Sequence, residues 1–260
     1  MANAESAGQS FSIGASLSRA LSTFLANFIS FNLLGFTVMV PGLGLVVLLF
    51  GAVFAGFFIG LDNIGAPPSG FGALHFIVFA AIWIVAVTLQ YFLTGIIVYG
   101  ALRYLEGEKA GYAACLGRGF RRIVPIIAVA VISTVLIAIG FFLIVVPGII
   151  IAVMICLAVP ALMAENPGIL ASLKRSRELT KGYRWHLFGI FLIAMLATTA
   201  INIVVPLPFE LVSGDLATFV SAVIQLFTTV FLAVLLAVIY HDLRVAKEGV
   251  SSQQIAAVFD

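Results

Sequence analysis

The chain has 260 residues, of which 63% are hydrophobic and 9% charged, and its mean hydropathy is +1.23. A soluble domain carries roughly a quarter charged residues and about half apolar ones, so the composition excludes a water-soluble globule, a disordered chain and a disulfide scaffold. A formal net charge of +2 leaves no strong bulk attraction for nucleic acid. What remains is an all-α polytopic membrane helix bundle, read as a single integral membrane domain over 1–260.

Met1 to Ser10 contains neither a basic residue nor an apolar run, so no cleavable signal peptide is expected and the mature chain is read as starting at or near Met1. An amphipathic helix follows, with Ile13, Leu17, Leu21 and Phe24 as its apolar stripe. Six stretches are then apolar enough to cross a hydrocarbon core, which takes about 20 residues whose backbone groups satisfy one another. They run approximately Phe28 to Leu61, His75 to Leu102, Ile123 to Val146, Ile149 to Ala164, His186 to Val205 and Leu216 to Tyr240. Pro147-Gly148 is read as the turn between the third and fourth. That leaves the fourth about 24 Å long, short enough to call for local lipid thinning. The first, at about 51 Å, is long for one crossing, and a split at Pro41-Gly42 would give seven spans in place of six.

All thirteen basic residues fall in four segments: Arg19; Arg103, Lys109, Arg118, Arg121 and Arg122; Lys174, Arg175, Arg177, Lys181 and Arg184; Arg244 and Lys247. The other three connections offer Asp62, Glu210, Asp215 and the turns Pro67-Pro68, Pro147-Gly148 and Pro206-Leu207-Pro208. Six spans put every basic segment, both termini and a short 241–260 tail on the cytoplasmic side of the inner membrane by the positive-inside rule.

An internal pattern favours six. Ala15-Ser16-Leu17-Ser18-Arg19-Ala20, Ala114-Cys115-Leu116-Gly117-Arg118-Gly119 and Ala171-Ser172-Leu173-Lys174-Arg175-Ser176 share Ala, small, Leu, then Arg and a small residue. Ile13, Tyr112 and Ile169 stand in step before them. Each copy precedes two spans, so the chain parses into pseudo-repeats of about 11–102, 110–164 and 167–240, each an amphipathic helix plus a two-helix hairpin.

The third copy is the most basic. Asn166 is read as its N-cap and Pro167 as its first helical residue. Lys174, Arg177, Lys181 and Arg184 recur at i, i+3, i+7 and i+10 as one cationic stripe beside Ile169, Leu173, Ser176, Leu179 and Tyr183. In the second copy Tyr112, Leu116, Phe120 and Ile123 oppose Arg118, Arg121 and Arg122. These seven cations are candidate contacts for anionic lipid headgroups on the cytoplasmic face or for a protein partner, each worth about 1 kcal/mol near such a surface. Alternatively they are topology determinants with snorkelling stems. The aligned Arg19, Arg118 and Arg175 are also candidates to pair with Glu165 or Asp242 and tie the units together.

Little points to catalysis. No Lys, Arg, Asp or Glu lies in the centre of a span, and HExxH, GxSxG, Walker and paired-carboxylate patterns are absent. His75, His186 and His241 sit at helix ends. Cys115 and Cys156 read as small apolar residues without metal or disulfide spacing, and no cofactor is expected. Asn32, Gln90, Asn202 and Gln225 either bond across helices or line a transport path. The expectation is a non-enzymatic membrane-organising, lipid-associated or partner-docking protein; the alternative is a transporter or lipid-translocating protein with its path between repeats.

Val159-Pro160-Ala161-Leu162, Glu165, the run Ala171-Ser172-Leu173-Lys174-Arg175-Ser176-Arg177-Glu178-Leu179-Thr180-Lys181-Gly182 leading to Phe188-Gly189, and Tyr240-His241-Asp242-Leu243-Arg244 with Lys247-Glu248-Gly249 resemble the glycerophosphoryl diester phosphodiesterase membrane-domain family. The resemblance extends from about Phe11 to Gly249. In that family the membrane region is found fused to a soluble phosphodiesterase barrel; here about twenty residues follow Tyr240 and carry none of the barrel's acidic and histidine motifs. The resemblance therefore implies a free-standing membrane domain and transfers no catalytic residue.

Overall fold

The computed structural model describes residues 12–62, 73–108 and 111–249. Lys109 and Pro67-Pro68 lie outside the described residues, as do the side chains of Asp62 and His75. Among the described residues the fold is all helical, and six helices or helix pairs are long and apolar enough to span a membrane.

The first helix, α1 (Ile13–Ala26), is opened by Ser12, whose hydroxyl accepts the Ala15 N–H at 3.2 Å. Two long helices follow, α2 (Phe28–Asp62) and α3 (Ala73–Leu105). Pro41 lies inside α2 without ending it, so the first stretch is one helix and a seventh crossing has no support there. Gly42 sits against Leu89 of α3, where a Cβ would come within 2.7 Å of that side chain. The glycine that suggested a break is thus a point of close helix contact.

After α4 (Tyr112–Arg121) the third and fourth spans form a hairpin, α5 (Ile123–Leu143) with α6 (Val145–Ile155) and α7 (Ala158–Glu165). The turn is not at Pro147-Gly148. It is at Ile144, extended at φ −163° and ψ 153°, and Pro147 occupies the first turn of α6, where its missing N–H has no intrahelical role. Gly140 and Gly148 pack backbone to backbone across the hairpin. The fourth span consequently covers Val145–Glu165 and is long enough to cross, with no thinning required. It is interrupted at Cys156-Leu157, four residues before Pro160, whose ring cannot coexist with a regular helical carbonyl at position 156.

The next amphipathic helix, α8 (Ile169–Thr180), is preceded by Gly168 at φ 96°, while Asn166 is the left-handed C-cap of α7. The expected N-cap role of Asn166 is therefore a misassignment: asparagine tolerates left-handed dihedrals and closes the earlier helix. The cationic stripe is also not continuous. The α8 helix ends at Thr180, Lys181 is extended, Gly182 has φ 90°, and Arg184 begins α9 (Arg184–Val204). A short α10 (Leu207–Glu210) leads into α11 (Gly214–Glu248), which runs eight residues past the expected boundary at Tyr240. Residues 241–248 of the expected short tail are thus helical.

The core lies at the end of the bundle where the basic residues gather. In α3 the side chains of Leu93, Ile96, Ile97, Val98 and Ala101 are fully buried, as are Val234, Leu235, Ala237, Val238 and Ile239 in α11. At the opposite end Phe142 and Leu211 are each 91% exposed, and large apolar side chains of α2, α5, α9 and α11 face outward. Such a surface suits hydrocarbon.

Candidate functional site

The three amphipathic helices enter the basic end by their small residues. Ser16 and Ala20 of α1, Cys115 and Gly119 of α4, and Ser172 and Ser176 of α8 are all buried, and these are the aligned small positions of the sequence pattern. Close approach is the reason: a Cβ on Gly119 would lie 2.3 Å from Ile96 of α3. The expected stripes are only partly buried, since Leu21 is 50% and Phe120 60% exposed. In α8, Ser176 plugs the break in the fourth span. Its hydroxyl accepts the Leu157 N–H at 3.0 Å and donates to the Met154 carbonyl at 2.8 Å, so the interruption leaves neither group orphaned.

Two of the aligned arginines meet carboxylates. Arg19 pairs with Asp242, whose other oxygen accepts the Ser16 hydroxyl at 2.9 Å. Arg175 makes a forked contact with Glu165 at 2.8–3.0 Å and also pairs with Glu248. The Tyr240 hydroxyl donates to Glu165 at 2.6 Å. Burial disfavours the Arg175 cation, yet the hydrogen bonds and charges of Glu165 and Glu248 outweigh it and hold its pKa above the ordinary arginine value. Lys247 of α11 donates to the Glu178 carbonyl near the end of α8, a favourable place for a cation.

Arg118 differs from its two counterparts. Its guanidinium lies 5.6 Å from the centroid of the Tyr99 ring, and its Nε is buried without a hydrogen-bond partner. Arg122 donates to the Leu162 carbonyl at 2.8 Å and to the Asn166 side chain. Through one terminal nitrogen it therefore caps α7. Burial, then the neighbouring charge of Arg118, lowers the Arg122 pKa.

Arg121, Lys174, Arg177 and Lys181 are exposed, and Arg184 is half-buried. Lys174 has a loose partner in Glu178 at 3.9 Å. Trp185, 81% exposed, stands beside Arg184. The uncharged polar residues do not converge: Gln90 and Gln225 are exposed, Asn202 donates to Thr198 of its own helix, and buried Asn32 donates to Phe28 of its own helix. Among the described residues no group of three His, Cys, Asp or Glu side chains is placed to hold a metal ion.

Comparison of the chain with protein-family models, curated proteins and solved structures finds no match.

Tyr240, Ser16, Ser176 and Glu248 carry contacts between helices, a role that the sequence pattern alone does not assign to them. One signal was present: Tyr99, Leu102 and Arg103 at the end of α3 repeat the spacing of Tyr240, Leu243 and Arg244 in α11. Both triplets lie at the basic end.

Proposed function

We propose that this protein is a non-enzymatic, lipid-associated membrane organiser of the bacterial inner membrane, of the glycerophosphoryl diester phosphodiesterase membrane-domain type. Its basic end faces the cytoplasm and holds anionic headgroups. The observation that carries this reading is the junction of α8 and α9, where exposed Arg177 and Lys181 have no ion pair among the described residues and Trp185, next in sequence to Arg184, is 81% exposed. Exposed cations next to a tryptophan suit the headgroup layer, where the ring takes the interface and the cations meet lipid charge. Some other charges at this end join helices, as Arg19 does through Asp242 and Arg175 through Glu165 and Glu248. That division of labour supports three units, each delivering an amphipathic helix to one surface.

The test is lipid co-purification read by mass spectrometry, comparing the wild type with a variant in which Lys174, Arg177, Lys181 and Arg184 are all changed to Gln. The expected result is at least a twofold fall in retained anionic lipid with zwitterionic lipid unchanged. Equal retention of anionic lipid by the two proteins would overturn the reading.

A further inference from the structure

Arg19, Arg118 and Arg175 occupy the same place in the three aligned segments, and in two of them the protein supplies the counter-charge, Asp242 for Arg19 and Glu165 for Arg175. The middle segment breaks the pattern. No carboxylate pairs with Arg118 among the described residues, and its Nε is buried with no acceptor. A buried donor left unmade costs about 1–3 kcal/mol, more where the group is charged, so the site lacks an acceptor the fold does not provide.

The space beside Arg118 is a cleft of about 210 Å³. It is lined by Tyr99, Leu102, Arg103 and Glu106 of α3 and its C-terminal end, Arg118 of α4, Met163 and Ala164 of α7, and Arg244 of α11. Those elements come from all three sequence units. Three arginines thus border one small space, and Glu106 is the single acidic residue that borders it with them. Arg103 spends one nitrogen on Glu108 at 2.6 Å, and Arg244 holds Glu248 at a long 3.4 Å. Each arginine has five N–H donors in a planar fork, so most remain available. Burial first, and then the like charge of Arg118, lower the Arg122 pKa beside this region.

We propose that the cleft between Arg103, Arg118 and Arg244 binds a phosphate group, which takes the place that Asp242 and Glu165 hold beside the two other aligned arginines. A phosphate offers several acceptor oxygens on one centre and matches arginine forks in pairs, so one group engages more than one of the three arginines. The cleft is below the roughly 300 Å³ of a drug-sized pocket, on the scale of one phosphate and its ester carbons, with Leu102, Met163 and Ala164 as an apolar wall. The headgroup of a membrane phospholipid and a free phosphate ester share this chemistry. This inference rests on the headgroup-binding reading above but uses different residues, so the two fail separately.

The experiment is calorimetric titration of the whole protein in neutral detergent with two probes, dihexanoyl phosphatidate and inorganic phosphate. Wild-type protein is expected to bind phosphatidate, and Arg118→Gln to weaken it at least tenfold, while Arg121→Gln, on the same helix but exposed, stays within twofold. Phosphatidate bound much more tightly than inorganic phosphate identifies a lipid headgroup; comparable binding of both identifies a free phosphate ester. Binding of neither probe by the wild type, or equal binding by wild type and Arg118→Gln, overturns the proposal. Should Arg118→Gln fail to fold, phenylglyoxal modification of wild-type Arg118 is followed by peptide mass mapping instead. At least fivefold protection by phosphatidate or phosphate supports the site, and no protection by either overturns it. Loss of bulk anionic lipid by the Lys174, Arg177, Lys181 and Arg184 quadruple variant, together with wild-type phosphatidate binding by Arg118→Gln, would overturn the cleft and leave the headgroup reading standing.

Discussion

The hydroxyl of Ser176 in α8 accepts the backbone N–H of Leu157, closing the gap that Pro160 opens in the fourth span. Ser176→Ala would strand that buried N–H and the Met154 carbonyl, at a cost of about 1–3 kcal/mol. Ser172 is equally buried but donates to Gly168 of its own helix start at 2.6 Å, so Ser172→Ala is expected to cost less. Thermal unfolding in detergent, followed by circular dichroism, checks the order; equal losses in the two variants would contradict the capping role.

Glycines in α4 make a contrasting pair. A Cβ at Gly119 meets Ile96 at 2.3 Å, whereas one at Gly117 meets nothing within 4 Å. Gly119→Ala is expected to destabilise by about 1–3 kcal/mol through overpacking. Gly117→Ala is expected to be neutral or to stabilise by up to about 1 kcal/mol from helix propensity alone. The same unfolding measurement separates them.

Tyr240 and Glu165 join α11 to α7 by a hydrogen bond of 2.6 Å onto an ion-paired carboxylate. Tyr240→Phe keeps the ring and removes only the donor, so about 1.5–3 kcal/mol is expected to go. In a double-mutant cycle with Glu165→Gln the two changes should couple. Simple additivity would show that the contact contributes nothing to stability.

Cys115 is 1% exposed, and burial pushes its thiol up to about 11. At pH 8 only about one thiol in a thousand is then ionised, and the thiolate is the reactive form. Maleimide should label Cys115 slowly in the folded protein and fast after unfolding. The sign follows for stability: the fold favours the neutral thiol, so this group leaves stability untouched below its unfolded pKa of about 8.5 and reduces it as pH rises from there towards 11.

Orientation is accessible through introduced cysteines in intact cells. Val212, 75% exposed between α10 and α11, should react as Val212→Cys with an impermeant reagent from outside. Arg177→Cys should react only after permeabilisation. The reverse pattern would place the basic end away from the cytoplasm.

The spans were legible because hydropathy is a sum over about 20 residues and tolerates local error. Breaks were not, because a proline reads the same whether it ends a helix or sits in its first turn. Pro147 does the second, and the hairpin bends three residues earlier, where Gly140 and Gly148 let α5 and α6 touch. The stripe from Lys174 to Arg184 failed for a related reason: periodicity was counted through Gly182, whose φ of 90° ends the register. Which small residue would serve as a cap depended on contacts about twenty residues apart, such as Ser176 with Leu157. The three aligned arginines could be found by eye, but the acids they meet, and the one left without, are properties of packing.

The anchoring turns of α11 also set an order of events. Asp242, Lys247 and Glu248 bind α1 and α8, yet they are synthesised after every other described helix. During insertion Arg19 waits for more than two hundred residues before its acid emerges. Until then Arg19 has no acid beside it, so the clasp between α1 and α11 forms only once the last turns of α11 have been made. A chain that stops before Tyr240 therefore holds the earlier helices without the contacts that α11 makes to α1 and α8.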